Sequence, residues 1–230
     1  TCISAIYMGG GARCAVNPDL SFEHEPAELQ ASAPKHIAVI GGGPGGMESA
    51  RRLAALGHKV TLIEQSERLG GTLRFASLAY PANERLLDWL RQEVTEAAVD
   101  VRLSTTATPE LLRSMNVDEV IVSTGAIRGM PEIPGGDLAH VFSGDDMRRM
   151  MLGESSEELK RKTGLFTRLA TKVGAATGAT ANLALVRKAT HAWMPLGDNI
   201  AIIGGELVGI ELAEFLAERG RTVNVIEEAP

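Results

Sequence analysis

Cysteine, aromatic residues and long apolar stretches are all scarce in this sequence. Its 230 residues include only two cysteines, Cys2 and Cys14, and 4% aromatic residues. Two cysteines cannot build a disulfide scaffold, and no signal-like segment is recognisable, so we expect a reducing, cytoplasmic setting. No uncharged apolar run approaches the roughly 18 residues that a membrane span needs. The sequence therefore predicts neither a disulfide-rich nor a membrane-spanning protein.

Basic charge is also in short supply, but it is unevenly placed. The net charge of −6, with 44% apolar and 23% charged residues, is ordinary for packed α/β domains and argues against nucleic-acid and anionic-membrane partners. Nine basic and three acidic residues lie between Arg148 and Lys188, which gives this stretch +6 and leaves −12 elsewhere. We interpret it as a solvated helical insert, with a docking surface for an anionic partner as the alternative.

An internal repeat organises the chain. Aligning 36–64 with 199–227, at an offset of 163, gives fourteen identities in twenty-nine positions. Each copy contains a continuous apolar strand, a glycine-rich turn, a helix and a second strand that ends in Glu, as in parallel sheets covered on both faces. We therefore predict an α/β fold: a Rossmann-like FAD/NAD(P)-binding domain with a parallel sheet, a helical insert and the start of a second Rossmann unit.

The predicted domain organisation follows the repeat. We assign 1–34 to a linker, 35–146 to the first dinucleotide-binding domain, 147–198 to a basic helical connection and 199–230 to the first βαβ unit of a second domain. Residues 159–185 are rich in Ala and in Lys and Arg, and we expect them to be helical. The chain begins with Thr1 rather than Met and stops while the second pattern continues, so we expect it to be a piece of a longer polypeptide.

The first turn matches G-x-G-x-x-G from Gly41 to Gly46, directly after a strand and at the start of a helix. Gly41 permits the tight turn, Gly43 lets a pyrophosphate approach the backbone, and Gly46 allows close packing of helix and strand. Glu64, at the end of the next strand, suits the two hydroxyls of an adenosine ribose and would repel a 2′-phosphate. The turn predicts FAD, NAD or ADP rather than NADP.

The second turn departs from this pattern. It keeps Gly204 and Gly209 but places Glu206 at the middle glycine position, and Glu227 again ends the second strand. A carboxylate about 5 Å from a pyrophosphate charge costs roughly 3 kcal/mol at an effective dielectric near 20, unless it turns to solvent. We expect NAD(H) to bind there weakly or not at all, and a unit that packs without binding is the alternative.

With these residues in view, the chain resembles the C-terminal portion of the old-yellow-enzyme-related NADH:flavin oxidoreductases, which include 2,4-dienoyl-CoA reductase, trimethylamine dehydrogenase and histamine dehydrogenase. The resemblance rests on segments in the family's order: 14–18, 41–46, 69–73, 123–126, 133–135 and the second turn. It implies a parent protein with a catalytic FMN barrel, a cysteine segment for a [4Fe–4S] cluster, an FAD-type domain and an inserted NAD-type domain. The barrel lies outside this chain.

The turns and the resemblance together indicate two sets of cofactor-binding residues. The FAD (or ADP) set has Thr72 where the family has Gln. No catalytic residue is indicated, and the five histidines lack partners at a useful spacing, so no metal site is expected. The first set is Gly41, Gly43, Pro44, Gly45, Gly46, Glu64, Gln65, Gly70, Gly71, Thr72, Ala107, Ser123, Thr124 and Gly125, and the second is Gly204, Gly205, Glu206, Gly209 and Glu227.

The cysteine segment is degenerate against the family's pattern. Cys2 matches the first cluster ligand and Cys14 the last, but Ala5 and Gly9 stand at the second and third positions. Two thiolates cannot hold a cubane that needs four. We expect no Fe–S cluster in this protein.

Two functions remain open at this point. In the first, bound FAD passes electrons between NADH and an FMN barrel of the parent protein, in an NADH:flavin oxidoreductase similar to 2,4-dienoyl-CoA reductase. In the second, the first site holds ADP or FAD as a structural ligand and the second site is disabled by Glu206. The expected partners are NADH and the barrel, with no nucleic acid and no membrane, and a homo-oligomer is left open.

Overall fold

A computed structural model describes residues 4–12, 14, 20, 31–126, 129–130, 132–153, 157–164, 167, 174, 180 and 182–228. The chain divides into two compact units. The first comprises Thr1–Gly70 with Leu86–Thr124, and the second comprises Gly71–Arg85 with Gly125–Pro230. The sequence-based boundaries at 35, 147 and 199 follow motifs rather than contacts, and they stay predictions.

Strands and short helices alternate along the described ranges. Within those ranges, no helix has the length and apolar character needed to cross a bilayer. The strands are β1 His36–Ile40, β2 Lys59–Ile63, β3 Asp100–Arg102, β4 Glu119–Val122, β5 Asn199–Ile203 and β6 Thr222–Ile226. The helices are α1 Ser4–Tyr7, α2 Pro44–Ala55, α3 Thr72–Ala79, α4 Ala82–Glu96, α5 Pro109–Ser114, α6 Gly144–Leu152, α7 Glu157–Lys162, α8 Leu183–Ala192 and α9 Leu207–Ala217.

The first unit is built on a four-stranded sheet in the order β3-β2-β1-β4. All neighbours are parallel, and β1 is central: Ile37 pairs with Val60 on one side and with Glu119 on the other. This order matches one half of a doubly wound dinucleotide-binding fold, in which ligands bind beyond the carboxyl ends of the strands. The predicted α/β fold with a parallel sheet is confirmed.

The core of this unit explains the continuous apolar strands. Ala38, Val39 and Leu62 are fully buried, as expected when both faces of a sheet are covered. Helix α2 buries Met47 and Ala50, and α4 buries Leu87, Leu90 and Val94, all at helical spacing. The sequence pattern thus positions the turn between β1 and α2 on a rigid base.

The second unit contains the other copy of the repeat. Strands β5 and β6 pair in parallel from Asn199 with Thr222 to Ile203 with Ile226, and α9 connects them. Arg187 connects α8 to α3 and to the start of α4. Its guanidinium donates to the Ser77 carbonyl at 2.7 Å and to the Glu84 carboxylate at 2.6 Å. The βαβ start of a second Rossmann unit is therefore present.

Helix α6 begins with a reciprocal cap. The Ser143 side chain accepts from the Asp146 N–H at 3.1 Å, and the Asp146 carboxylate accepts from the Ser143 N–H at 3.0 Å. Asp146 also accepts from Lys162 Nζ of α7 at 2.8 Å, and these two side chains are 1% and 6% exposed. A buried ion pair therefore joins α6 to α7.

The stretch expected to be helical over 159–185 is interrupted. Helix α7 ends at Lys162, just before Gly164, and α8 begins at Leu183. The Asn182 side chain accepts from the Leu185 N–H at 3.0 Å and so caps a new helix. The two described ends of the stretch are helical, and most of 165–181 lies outside the described residues.

Candidate functional site

The turn between β1 and α2 is closed by two glycines that packing requires. Gly41 has φ +105°, and a Cβ there would overlap the carbonyl of Ser123, the residue that follows β4. A Cβ on Gly46 would overlap the Gly41 carbonyl oxygen. These two positions accept glycine only, since backbone occupies the space of a side chain.

Two further glycines in the turn are not required by contacts within the protein. Gly43 has φ −73° and ψ −179°, a conformation open to any residue, and a Cβ on Gly43 or Gly45 would meet nothing within 4 Å. Gly43 is also the N-cap of α2 and offers no side-chain cap. The turn thus presents an open surface beside uncapped backbone N–H groups, which is the arrangement that receives a pyrophosphate.

Glu64 lies beside this turn with its carboxylate in place. One oxygen accepts from the Gly42 N–H at 2.6 Å, the other accepts from the Ser66 N–H at 2.7 Å, and the residue is 9% exposed. A carboxylate offers about four acceptor positions, so capacity for two hydroxyl donors remains. The residue fits an adenosine ribose.

Other predicted residues of the first unit surround the same strand ends. The Thr105 N–H donates to the Glu64 carbonyl at 3.0 Å, which leads the chain past Glu64 toward Ala107. The Ser123 N–H donates to the Ile40 carbonyl at 2.8 Å, directly before the first turn. Eleven of the fourteen predicted first-site residues belong to this unit: Gly41, Gly43, Pro44, Gly45, Gly46, Glu64, Gln65, Gly70, Ala107, Ser123 and Thr124.

The remaining three first-site residues belong to the second unit. Gly71, with φ +49°, is the N-cap of α3, and Thr72 is the first residue of that helix. Gly125 has φ +76°. Their roles toward a cofactor stay predictions.

The second turn repeats the backbone of the first almost angle for angle. Gly204 has φ +106°, a Cβ on Gly209 would overlap the Gly204 carbonyl, and the Gly205 N–H donates to the Glu227 carboxylate at 2.5 Å. Glu206 occupies the N-cap with φ −67° and ψ 179°, and it is exposed. The glycine-to-glutamate difference therefore leaves the turn intact and adds a carboxylate at the start of α9.

Exposure of Glu206 revises the cost expected from sequence. In water, two unit charges about 5 Å apart repel by under about 1 kcal/mol, against roughly 3 at lower dielectric. The smaller figure applies to a solvated side chain. Glu206 therefore lowers the affinity of the second turn for an anion by a small amount, and the backbone of the turn is unchanged.

The cysteine segment adds no metal centre within the residues that the structure covers. No group of three or more His, Cys, Asp or Glu side chains there is arranged to hold a metal ion. Cys14 is half-buried, Ala5 lies in α1, and Cys2 lies outside the described residues. The absence of an Fe–S cluster remains a prediction.

Sequence reasoning left Gly42 out of the first site, although its partner in the repeat, Gly205, was included. Gly42 donates its N–H to Glu64, and its carbonyl accepts from the Gly70 N–H at 2.7 Å. A Cβ at Gly42 would lie 2.5 Å from Leu69 Cδ2 and 3.0 Å from the Glu64 carboxylate. The alignment of the two copies was the signal that could have found it.

Comparison with protein families and curated proteins agrees with this geometry. The family model described as pyridine nucleotide-disulphide oxidoreductase matches residues 35–230. The chain is 34% identical over 98% of its length to a bilirubin reductase of Mediterraneibacter gnavus, and 32% identical over 96% to an NADH oxidase of Thermoanaerobacter brockii. It spans 29% of the length of each of these relatives.

Solved structures share the fold. A 2-naphthoyl-CoA reductase superposes with a TM-score of 0.72 at 24% identity, over all of this chain and 30% of that one. Histamine dehydrogenase from Rhizobium sp. 4-9 superposes with a TM-score of 0.67 at 19% identity, over 98% of this chain and 30% of that one.

Proposed function

Because the chain belongs to the pyridine nucleotide-disulphide oxidoreductase family, we propose that it is the FAD-binding electron-transfer module of an NADH:flavin oxidoreductase. In this proposal it is the C-terminal FAD/NAD-type portion of a longer cytoplasmic polypeptide. Electrons pass between NADH and an FMN barrel elsewhere in that polypeptide, as in the 2,4-dienoyl-CoA reductase group. The named relatives, a bilirubin reductase and an NADH oxidase, support redox chemistry of this general kind.

One observation carries the proposal: the first turn has glycines that the protein's own packing does not need. Gly43 and Gly45 face open space, beside the uncapped start of α2. The missing Cβ atoms make sense when a ligand lies directly on the backbone, and the free N–H groups and the positive end of the helix suit an anion. Glu64 provides the matching acceptor for a ribose at the next strand end.

The chain's own residues bind and orient rather than transfer protons. The turn 41–46 would hold the pyrophosphate, Glu64 the adenosine ribose, and the segment around Ala107 the adenine side. FAD, when bound, supplies the hydride and electron chemistry, so no general base is required of the protein. Discrimination against a 2′-phosphate follows from the carboxylate at Glu64.

A second candidate function is favoured by Glu206. An acidic side chain at the N-cap of α9 opposes binding of a second dinucleotide, while Glu227 and the glycines keep the turn folded. The first site would then hold FAD or ADP as a structural ligand with no hydride traffic through this chain. NADH-dependent bleaching of bound flavin in the parent protein separates the two functions.

The test of the proposed function begins with an absorption spectrum of the purified chain and identification of the molecule that heat releases. FAD release, with flavin absorption in the spectrum, supports the proposal; protein that releases only ADP supports the second candidate. Gly43→Val should abolish dinucleotide binding because its branched side chain fills the open surface. Gly197→Val is the matched control, since a Cβ there also meets nothing within 4 Å. Retained binding in Gly43→Val contradicts the site.

A further inference from the structure

The peptide between Leu69 and Gly70 is held on both of its sides. Arg91 of α4 donates from Nη2 to the Leu69 carbonyl at 2.6 Å. The N–H of the same peptide, on Gly70, donates to the Gly42 carbonyl at 2.7 Å. A hydrogen bond from a guanidinium is stronger than one between neutral groups, and it polarises the peptide so that its N–H becomes a better donor.

Gly42 passes this restraint on to the dinucleotide turn. In a trans peptide the carbonyl and the N–H point in opposite directions. The Gly42 carbonyl shares its peptide with the Gly43 N–H, so fixing the carbonyl toward Gly70 turns the Gly43 N–H the other way. The Gly43 N–H donates to no backbone carbonyl among the residues that the structure describes.

Gly42 is also fixed through its own N–H, which donates to the Glu64 carboxylate at 2.6 Å. The two peptides that flank Gly42 are thus oriented independently, one by Glu64 and one by the Leu69–Gly70 peptide. In the linkage from Arg91 through the Leu69–Gly70 peptide to the Gly42 carbonyl, the charged group is the Arg91 guanidinium. Its side chain is 35% exposed and lies 3.6 Å from Asp88, one turn earlier on the same helix.

We propose that Arg91 is a positioning residue for the first dinucleotide turn. By pinning the Leu69–Gly70 peptide, Arg91 keeps the Gly42 carbonyl turned away from the ligand side and the Gly43 N–H available to a diphosphate. The ligand class is an adenosine diphosphate group, free or as part of FAD. The inference rests on the proposed function, since it assigns Arg91 a role in the same site.

The test measures ADP affinity by calorimetric titration and the exchange rate of the Gly70 amide proton in chain labelled with [15N]glycine. Arg91→Met keeps an unbranched apolar side chain and removes the charged donor. We expect its ADP dissociation constant to rise about tenfold, as for loss of one charge-assisted hydrogen bond, and Gly70 exchange without ligand to accelerate by about the same factor. Arg91→Lys retains a charged donor without the planar fork and should weaken ADP binding by only about threefold.

Arg113→Met is the matched control, because Arg113 lies on α5 of the same unit, is 75% exposed and pairs with Glu110 of its own helix. It should leave both readouts at wild-type values. If wild type binds ADP and Arg91→Met binds it with the same dissociation constant, the inference about Arg91 is wrong and the proposed function stands. Weaker binding without faster Gly70 exchange, or equal weakening in Arg113→Met, indicates general destabilisation and also overturns it. A wild-type chain that binds neither ADP nor FAD overturns the proposed function, and the inference with it.

If Arg91→Met does not fold, Arg91→Lys decides. A dissociation constant and a Gly70 exchange rate equal to those of wild type then contradict the role of Arg91, because the planar guanidinium that donates to the Leu69 carbonyl would be dispensable. A partial loss in both supports the role.

Discussion

Glu64 stabilises the first turn and also offers hydrogen-bond acceptors to a ligand. Its two oxygens accept from the N–H groups of Gly42 and Ser66. The carboxamide of Gln has only one acceptor oxygen, so Glu64→Gln sets an NH2 group against a backbone N–H. The cost therefore appears in the free protein as well as in the complex.

We predict that Glu64→Gln raises the ADP dissociation constant by about tenfold or more, equivalent to roughly 1 to 3 kcal/mol, and lowers the melting temperature of the free chain. Calorimetric titration and thermal denaturation measure the two effects. Glu67→Gln, an exposed change in the same loop, is the control and should alter neither. Equal affinities for wild type and Glu64→Gln would show that the carboxylate does not contact the ligand.

Glu206 offers a test of the second turn at single-residue resolution. Its backbone angles match those of Gly43, so Glu206→Gly changes the side chain without moving the turn. We predict about fourfold tighter NADH binding, the size expected for relief of one repulsive charge pair about 5 Å apart in water. Glu206→Gln separates charge from bulk: it should recover most of the gain. Fluorescence titration with NADH makes the measurement, and no gain in either variant means that the carboxylate points away from the ligand.

At the level of elements, α6 depends on an ion pair that its own sequence does not reveal. Burial alone raises the pKa of the Asp146 carboxyl, but hydrogen bonds from Lys162 and from the Ser143 N–H outweigh it and hold the pKa below its ordinary value. A carboxyl with a depressed folded-state pKa stabilises the fold above its unfolded pKa. That stabilisation is lost as pH falls through the folded value, below about pH 4.

We predict that Asp146→Asn lowers the free energy of unfolding by about 3 kcal/mol at pH 7, because it removes the charge that pairs with the buried Lys162 ammonium. The difference between variant and wild type should shrink as pH falls below about 4, where wild type also loses the charge. Urea denaturation at pH 7 and pH 3 measures it. Asp145→Asn changes the neighbouring, more exposed carboxylate and should cost under about 1 kcal/mol. Similar losses in both variants would assign the effect to helix-dipole charge rather than to the buried pair.

On the scale of the whole molecule, the second unit leaves apolar side chains uncovered. Ile203, Leu207, Val208 and Ile226 are 56 to 74% exposed at the carboxyl ends of β5 and β6 and at the start of α9. A two-stranded sheet buries little surface, and exposed apolar groups of this kind promote association. The chain by itself is expected to self-associate through this face.

We predict concentration-dependent self-association in sedimentation velocity, with Val208→Glu weakening it about tenfold by removing apolar contact and adding charge. Leu138→Glu is the control, since Leu138 is 49% exposed in the same unit and belongs to none of β5, β6 and α9. A monomer at all concentrations, or equal effects of the two variants, contradicts this assignment of the interface.

What the sequence determined by itself is the repeated unit and the chemistry of its turns. Apolar strands, glycine spacing and the two terminal glutamates are local patterns, and each copy folds from residues within about 30 positions of one another. The parallel strand pair within each copy, the left-handed glycines at 41 and 204 and the carboxylate contacts with Gly42 and Gly205 all follow from those local patterns.

Only the tertiary structure decided the contacts between distant segments. Gly70 reaches Gly42, Arg91 reaches Leu69 and Lys162 reaches Asp146, and no periodicity in the sequence marks these pairs. Asn182 starts a new helix inside the stretch that composition predicted to be helical, because its side chain caps a backbone N–H three residues later. Which distant residues become hydrogen-bond partners depends on which segments the packing of the fold brings together. Local sequence therefore specifies the turn that would hold a dinucleotide, whereas the fold specifies what keeps that turn in place.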